Sequence, residues 1–340
     1  MEVIMKRVVS VIFALVLLAG ILSANTKIKF ATLAPEGSTW MNVMNEFSKA
    51  VEDATGGEVE FRIYPGGVAG DELNVLRKIR VGQLHSGGFT GVGLGEILPE
   101  VRVLDSPFLF RSKAEIDHIS GQLFDYFAKK FEEKGFILLG WAEVGFVYTF
   151  TDKPVRAIAD MKGVKMWMWE GDPIAEATFR SFNINPIPLS ISDVLTSLQT
   201  GLIDGIYVSP LACVALQWHT KVNYMLDLPL ANSNGAVLLD RRQFDKLSPE
   251  HQKKLRDLSL EYFGKLTQMS RRDNEKSLKL IKDEGITFTE ITDKSQIEGF
   301  YESGRQARRS LIGKLYDQQL LDRVEHSLAE FREDKSTGGN

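Results

Sequence analysis

The first part of the chain alternates between two hydrophobic patterns that predict strands and helices in turn. Residues 28–31 are predicted to form a first strand, and residues 59–63 alternate apolar with charged side chains, as in a half-buried strand. Between them, Ser38 precedes apolar residues at positions 41, 44, 47 and 51, a near-helical spacing that predicts a capped helix. Gly56 and Gly57 end that helix. The pattern indicates an α/β protein.

The middle of the chain continues the alternation with one long helix and one buried strand. Ser112 and Glu115 form the pattern of a capping box, which predicts a helix running to about Lys134. Residues 136–141 are continuously apolar, as expected where helices cover both faces of a sheet.

A second series of strands and helices follows. It comprises a strand at residues 164–169, a helix that starts after Asp172, a helix at residues 193–200 capped by Ser192, and a strand at residues 202–208. Two series of this kind, in a chain of 340 residues, predict two domains.

One predicted helix is too long for either domain alone. Ser248 and Pro249 open a helical pattern that continues to about Glu284, or roughly 50 Å at 1.5 Å per residue. We expect this helix to run along both domains. The tail at residues 333–340 is expected to be frayed.

Residues 1–24 have the pattern of an export signal. Lys6 and Arg7 precede an apolar run, and Ser23 and Ala24 supply the small residues of a cleavage site. The alternative is an uncleaved membrane anchor, although the run is short for a span of about 20 residues. The segment predicts export to a bacterial periplasm.

Composition excludes several classes of function. Lys and Arg number 41 and Asp and Glu 45, so no strong positive field is available to bind nucleic acid. A single cysteine, Cys213, cannot form an intrachain disulfide, and the five histidines show no metal-ligand spacing. No metal or cofactor is predicted.

No recognised catalytic motif occurs in the sequence. The glycine-rich run at residues 87–95 has the spacing G-x-G-x-G without an apolar helix directly after it, so it is interpreted as a loop of close backbone approach rather than a dinucleotide site. Cys213 is expected to be buried and inert, and His219 to be a hydrogen-bonded structural residue. The sequence therefore predicts a protein that is not an enzyme.

Several ordered motifs resemble one family of transport proteins. The segment L-D-S-P-F-L-F-R at residues 104–111 resembles the L-x-x-P-F-L-F motif of the solute receptors of tripartite ATP-independent periplasmic (TRAP) transporters, the DctP-like family. Further matches are Gly140 to Phe146, Lys153 to Arg156, Asp160 to Lys165, Asn185 to Leu189, Asp193 to Gly205 and Leu216 to Val222.

This resemblance implies a fold and a set of partners. It implies a two-lobe periplasmic-binding-protein-like fold with a long helix crossing both lobes and a solute cleft between them. Lobe I would comprise residues 27–144 and 233–272, and lobe II residues 145–232 and 273–332. The implied partners are a small solute, the small and large membrane subunits of the permease, and, in some relatives, a helical-repeat periplasmic protein.

The departures from the family pattern bear on the solute. The resemblance implies two arginines that hold a carboxylate through paired charged hydrogen bonds, and here Trp167 and Val147 stand at those places. Leu33 lies in a loop that is often polar, Ser209 replaces a common asparagine, and Ile191 replaces a common aromatic residue. We therefore predict an uncharged or amphipathic solute.

The predicted cleft is rich in aromatic side chains. Trp167 and Trp169 share one face of their strand by its period of two, with Met168 on the other. Tyr148 is a further aromatic candidate. The predicted ligand-binding residues are Trp167, Trp169, Val147, Leu33, Tyr207, Ser209, Thr90, Phe89, Glu72, Ile191 and Trp40.

Other functions stay open at this point. Carboxylates near the same segments would favour a cationic solute over tryptophan faces, and they are Glu36, Glu143, Glu170 and Asp172. A carboxylate solute is possible if another residue supplies the positive charge. A scaffold or sensor subunit that binds a partner protein and no solute is the last alternative.

Overall fold

The computed structural model describes residues 25–337, and the predicted signal at residues 1–24 lies outside them. The strands are β1 (Thr26–Ala31), β2 (Val59–Tyr64), β3 (Ser86–Thr90), β4 (Phe136–Trp141), β5 (Gly145–Thr151), β6 (Trp167–Trp169), β7 (Ile187–Leu189), β8 (Gly205–Val208), β9 (Tyr224–Leu226), β10 (Ala231–Ser233), β11 (Gly235–Asp240) and β12 (Thr287–Thr289). The helices are α1 (Thr39–Ala54), α2 (Glu72–Arg80), α3 (Gly91–Ile97), α4 (Lys113–Gln122), α5 (Phe124–Glu133), α6 (Pro173–Ser181), α7 (Val194–Gln199), α8 (Pro210–Ala215), α9 (Arg241–Phe244), α10 (Pro249–Asp283), α11 (Lys294–Ser310) and α12 (Gln318–Thr337).

The first lobe is built on a five-stranded sheet of order β2-β1-β3-β11-β4. β1 pairs in parallel with β2 and β3, and β11 runs antiparallel to β3 and β4. Alternate residues of β11 enter two separate cores, with Ala236 and Leu238 on one face and Val237 and Leu239 on the other. Both faces are therefore covered, which explains why the central strands are almost entirely apolar.

The second lobe contains a sheet of order β10-β5-β9-β12, with β8 paired to β5. A short parallel pair, β6 and β7, lies beside it, joined by a bridge from Met166 to Gly205. This pair carries the tryptophans that the sequence places on one strand face.

The chain crosses between the lobes at adjacent places. One crossing joins β4 to β5, the other joins β10 to β11, and the Ala142 N–H donates to the Gly235 carbonyl at 2.7 Å to tie them together. α10 packs Leu255 and Phe263 into the first lobe and Ile281 into the second. The long helix thus spans both lobes, as the sequence predicts, and Ser248 caps it through a hydrogen bond from the His251 N–H.

The C-terminal part of the chain differs from the prediction. The side chains of Tyr316, Leu321 and Leu328 are buried in the core of the first lobe, whereas the predicted boundary puts residues up to 332 in the second. The apolar face of α12 packs there, against α4. α12 also continues to Thr337, so fraying from residue 333 is wrong for the described part of the tail. The other lobe boundaries stay predictions.

Two predicted helices also differ. The helix expected from Ser112 to Lys134 is divided at Leu123, whose side chain turns into the core two residues after the poor helix former Gly121. Ser192 caps no helix, because its hydroxyl lies 3.1 Å from that of Ser190 within a 3₁₀ turn. The predicted strands at 164–169 and 202–208 shorten to β6 and β8.

The glycine-rich run is a strand followed at once by a helix, so the expected loop is wrong. A side chain at Gly88 would collide with Trp40, and one at Gly91 would collide with Asp105. The glycines are needed for close packing around these two side chains, which agrees with the predicted close approach.

Gly145 gives a first testable prediction about the crossing. Its φ is +115°, and a Cβ there would lie 2.6 Å from the Asn274 amide nitrogen, which donates to the Val144 carbonyl. Gly145→Ala should lower the free energy of unfolding by about 1–3 kcal/mol in urea titrations. The control is Gly264→Ala, in the exposed middle of α10, where added helix propensity should be neutral or stabilising. Equal effects of the two substitutions would contradict the prediction.

Candidate functional site

A cavity of about 260 Å³ lies between the two lobes. This volume is just below the roughly 300–1,000 Å³ of small-molecule sites in general. The structure brings all the residues of the predicted ligand-binding set to its wall. The first lobe contributes Leu33, Trp40, Glu72, Phe89 and Thr90, and the second contributes Val147, Trp167, Trp169, Ile191, Tyr207 and Ser209. Their contact with a solute stays a prediction.

Trp167 is the centre of an aromatic wall. Its ring stacks on Trp169 with centroids 6.4 Å apart and on Tyr207 at 5.1 Å, and Trp218 meets it edge-on at 5.2 Å. Side chains two residues apart on a strand share a face, which is why both tryptophans of β6 reach the cavity.

The polar ends of these rings are bonded within the protein. The Trp167 indole N–H donates to the Leu189 carbonyl at 3.1 Å, and the Trp169 indole N–H donates to the Asp71 carboxylate at 3.2 Å. The indole donors are therefore engaged, and the wall offers chiefly ring faces. The bond to Asp71 also links the second lobe to the first.

The opposite wall comes from the first lobe. Trp40 stacks on Phe30 at 6.2 Å and is packed against the bare backbone of Gly88. Phe89 is buried and also lines the cavity, and Leu33 lies in the loop after β1. Apolar groups therefore line both sides of the cavity.

A buried charged cluster lies at the same cavity and was missed by the sequence analysis. The Arg102 guanidinium donates through Nε to Asp105 at 2.9 Å and through Nη2 to Asp172 at 2.8 Å. The Tyr207 hydroxyl donates to the other oxygen of Asp172 at 2.8 Å. Arg102 and Asp105 stand in an otherwise apolar run, V-R-V-L-D, and that contrast was the available signal.

Burial and mutual pairing act in opposite directions on the charges of this cluster. Burial lowers the pKa of Arg102, but Asp172 and Asp105 outweigh it and the pKa is raised overall. Burial raises the pKa of Asp105 to about 6, against the opposing effects of Arg102 and the Asn234 N–H. Above about pH 6, Asp105 is therefore ionised beside Arg102.

Glu72 is a third carboxyl at the cavity. It accepts hydrogen bonds from the Thr90 N–H at 2.8 Å, the Thr90 hydroxyl at 3.2 Å and the Gly93 N–H at 2.8 Å. Burial outweighs these bonds and raises its pKa from 4.5 to about 7. Near neutral pH, Glu72 is therefore about half ionised.

This raised pKa gives a second prediction. The folded protein binds the Glu72 proton more tightly than the unfolded chain does, so protonated Glu72 stabilises the folded state. This stabilising effect is complete below pH 4.5 and is lost as pH rises through about 7. From about pH 4 to about pH 8, the free energy of unfolding of the wild type should fall by on the order of 3 kcal/mol relative to Glu72→Gln. Urea titrations across this range measure it, and parallel stability curves for the two proteins would contradict it.

The remaining candidates have structural partners. The Ser209 hydroxyl accepts the Ala212 N–H and caps α8. His219 lies 3.2 Å from the Cys213 carbonyl and 2.9 Å from Glu284, which confirms it as a hydrogen-bonded residue. Cys213 is buried, and burial raises the pKa of its thiol.

Several other residues lie away from the cavity. Tyr148 packs with the core of the second lobe and does not line the cavity. Of the acidic residues considered for a cation, Asp172 lines it, whereas Glu36, Glu143 and Glu170 do not. Between residues 25 and 337, no cluster of His, Cys, Asp and Glu is arranged to hold a metal ion, and no helix is long and apolar enough to cross a membrane.

A family profile and a relative of known name both match most of this chain. The profile of the DctP family, described as bacterial extracellular solute-binding protein, family 7, matches residues 30–312. The 2,3-diketo-L-gulonate-binding periplasmic protein YiaO of Escherichia coli K12 is 30% identical over 254 residues, covering 73% of this chain and 75% of its own length.

Solved structures share the fold. A TRAP periplasmic solute binding protein from Citrobacter koseri with bound D-glucuronate has a TM-score of 0.79 at 24% identity, covering 88% of this chain and 98% of its own. Another, from Ochrobactrum anthropi, with its C-terminus bound in the ligand pocket, has a TM-score of 0.82 at 21% identity, covering 94% of this chain and 100% of its own. The two-lobe fold predicted from the motifs is confirmed.

Proposed function

Since the chain belongs to family 7 of the bacterial extracellular solute-binding proteins, the DctP family of TRAP transporter receptors, we propose that it captures an uncharged or amphipathic solute in the cavity between its lobes. It then delivers this solute to the small and large membrane subunits of a permease and performs no chemistry of its own. Export to the periplasm and an association with a helical-repeat periplasmic protein belong to the same proposal.

The choice of an uncharged solute rests on the ion pairs that Arg102 already forms. Among the described residues, Arg102 is the one arginine that lines the cavity, and Asp105 and Asp172 both already bond to it. A carboxylate entering the cavity would lose its hydration and meet a surplus of negative charge. The apolar surface of a neutral solute would instead be buried against the rings, and this burial contributes roughly 25 cal/mol of binding free energy per Å².

Two alternative solutes have support of their own. The 2,3-diketo-L-gulonate and D-glucuronate of the two relatives named above are acids, which favours a carboxylate. The surplus of carboxyl groups beside tryptophan faces favours a cation, since such contacts contribute about 0.5–2 kcal/mol.

A calorimetric panel separates these solutes. It comprises succinate, a sialic-acid-like acid, a neutral apolar metabolite and a quaternary amine, preceded by mass spectrometry of whatever co-purifies with the protein. Binding of the neutral compound alone supports the proposal, and binding of the amine alone supports a cation receptor. Tight binding of either acid by the wild type contradicts the uncharged solute.

A blocked cavity provides the control for this panel. Ala212 lines the cavity, and Ala212→Phe should weaken binding by more than about tenfold because a ring would occupy the ligand volume. Ala329→Phe makes the same change at an exposed position of α12 and should leave binding unaltered. Equal binding by both variants would show that the solute binds outside the cavity.

A further inference from the structure

Asp172 and Asp105 hold Arg102 from two sides. Asp105 accepts Arg102 Nε with one oxygen and the Asn234 N–H, at 2.8 Å, with the other. Asp172 accepts Arg102 Nη2 and the Ile174 N–H with one oxygen and the Tyr207 hydroxyl with the other. Both aspartates are buried, and several hydrogen bonds fix the position of each carboxylate.

This arrangement engages two of the three nitrogens of the guanidinium, Nε and Nη2. Arginine recognises a carboxylate through parallel N–H bonds from its planar fork, and here Nε and Nη2 are both given to protein acids. An incoming carboxylate would compete with them and be repelled by both. An amide or a hydroxyl carries no net charge and is not repelled in this way.

The two aspartates have different structural roles, and these roles decide which of them is replaced in the test. Asp105 is the last residue of a 3₁₀ helix of the first lobe, whereas Asp172 caps α6 of the second. Asparagine has nearly the shape of aspartate and is an equally good N-cap, so Asp172→Asn removes the charge while the helix start is kept.

We propose that Asp172, supported by Asp105, determines the charge specificity of the cleft by neutralising Arg102. Removing the Asp172 charge should turn Arg102 into a residue that binds a ligand carboxylate. This inference rests on the proposed function, because it takes the cavity as the solute site and a neutral group as the one that is preferred.

The test compares matched acids and amides by calorimetry. The probes are phenylacetate with phenylacetamide and octanoate with octanamide, so that an aryl and an alkyl scaffold are both present. Asp172→Asn should bind the two acids about ten to a hundred times more tightly than the wild type does, the range expected for one charged hydrogen bond. Affinity for the amides should change by less than about threefold.

Two further proteins show whether Arg102 is responsible. Adding Arg102→Gln to Asp172→Asn should abolish the gain in acid binding. Asp257→Asn removes the same charge from an exposed pair with Lys253 on α10 and should change nothing. Circular dichroism establishes that each variant is folded, and Asp105→Asn, with the same expected gain, replaces Asp172→Asn if the latter does not fold.

The outcomes separate this inference from the proposed function. If the wild type already binds the acids as tightly as the amides, the proposal of an uncharged solute fails. If the folded aspartate variant gains no affinity for either acid, the specificity role of Asp172 is overturned, whatever the wild type binds. A gain that persists without Arg102 also overturns it.

Discussion

Replacing Arg102 with methionine is expected to lower the free energy of unfolding by about 3–5 kcal/mol. The substitution keeps an apolar stem of similar length but leaves Asp105 and Asp172 buried without their shared cation. Urea titration measures the loss. Arg180→Met is the matched control, since Arg180 forms an exposed pair with Glu176 and its loss should cost less than about 1 kcal/mol.

The origin of that loss can be tested directly. If it comes from uncompensated charge, adding Asp105→Asn and Asp172→Asn to Arg102→Met should restore much of the stability, because no buried charge is then left unpaired. A triple variant no more stable than Arg102→Met would show that the packing of the arginine stem, rather than its charge, carries the effect.

Replacing Trp167 with alanine is also expected to lower the free energy of unfolding by about 3–5 kcal/mol. Trp167 is only 2% exposed, contacts three aromatic rings, and donates to the Leu189 carbonyl, so its removal leaves a cavity and breaks one buried hydrogen bond. At a temperature where the variant is folded, binding of a neutral apolar solute should weaken by more than about tenfold.

The conservative variant separates stability from binding. Trp167→Phe keeps an aromatic ring against Tyr207 and should recover most of the stability lost in Trp167→Ala. Measured by urea titration and calorimetry, a Trp167→Ala protein with wild-type affinity for the neutral solute would contradict the role of this wall in binding.

The local parts of the fold could be predicted from the sequence because neighbouring residues determine them. Ser38, Ser112 and Ser248 cap helices where the pattern indicates, since each cap bonds to an N–H only three residues away. Trp167 and Trp169 share a face because the period of a strand is two. The family motifs then supplied the two-lobe architecture and the residues of the cavity wall.

Contacts between distant segments could not be predicted in this way. The sequence pattern indicates Asp172 only as a helix cap or part of a cation site. Nothing local to Asp172 or Arg102 shows that these two residues, 70 positions apart, form a 2.8 Å bond. Contacts distant in sequence also decide two other features. Leu123, where the helix is divided, and the apolar face of α12 are both buried in the core of the first lobe.

The sequence by itself therefore determined most of the elements, several of their caps and the aromatic character of the cleft. Only the tertiary structure decided the charge of the cleft, because burial and the pairing of Arg102 with Asp105 and Asp172 arise where the two lobes meet. The energy of a charge depends on its surroundings in space, whereas the tendency to form a helix or strand depends largely on neighbours along the chain.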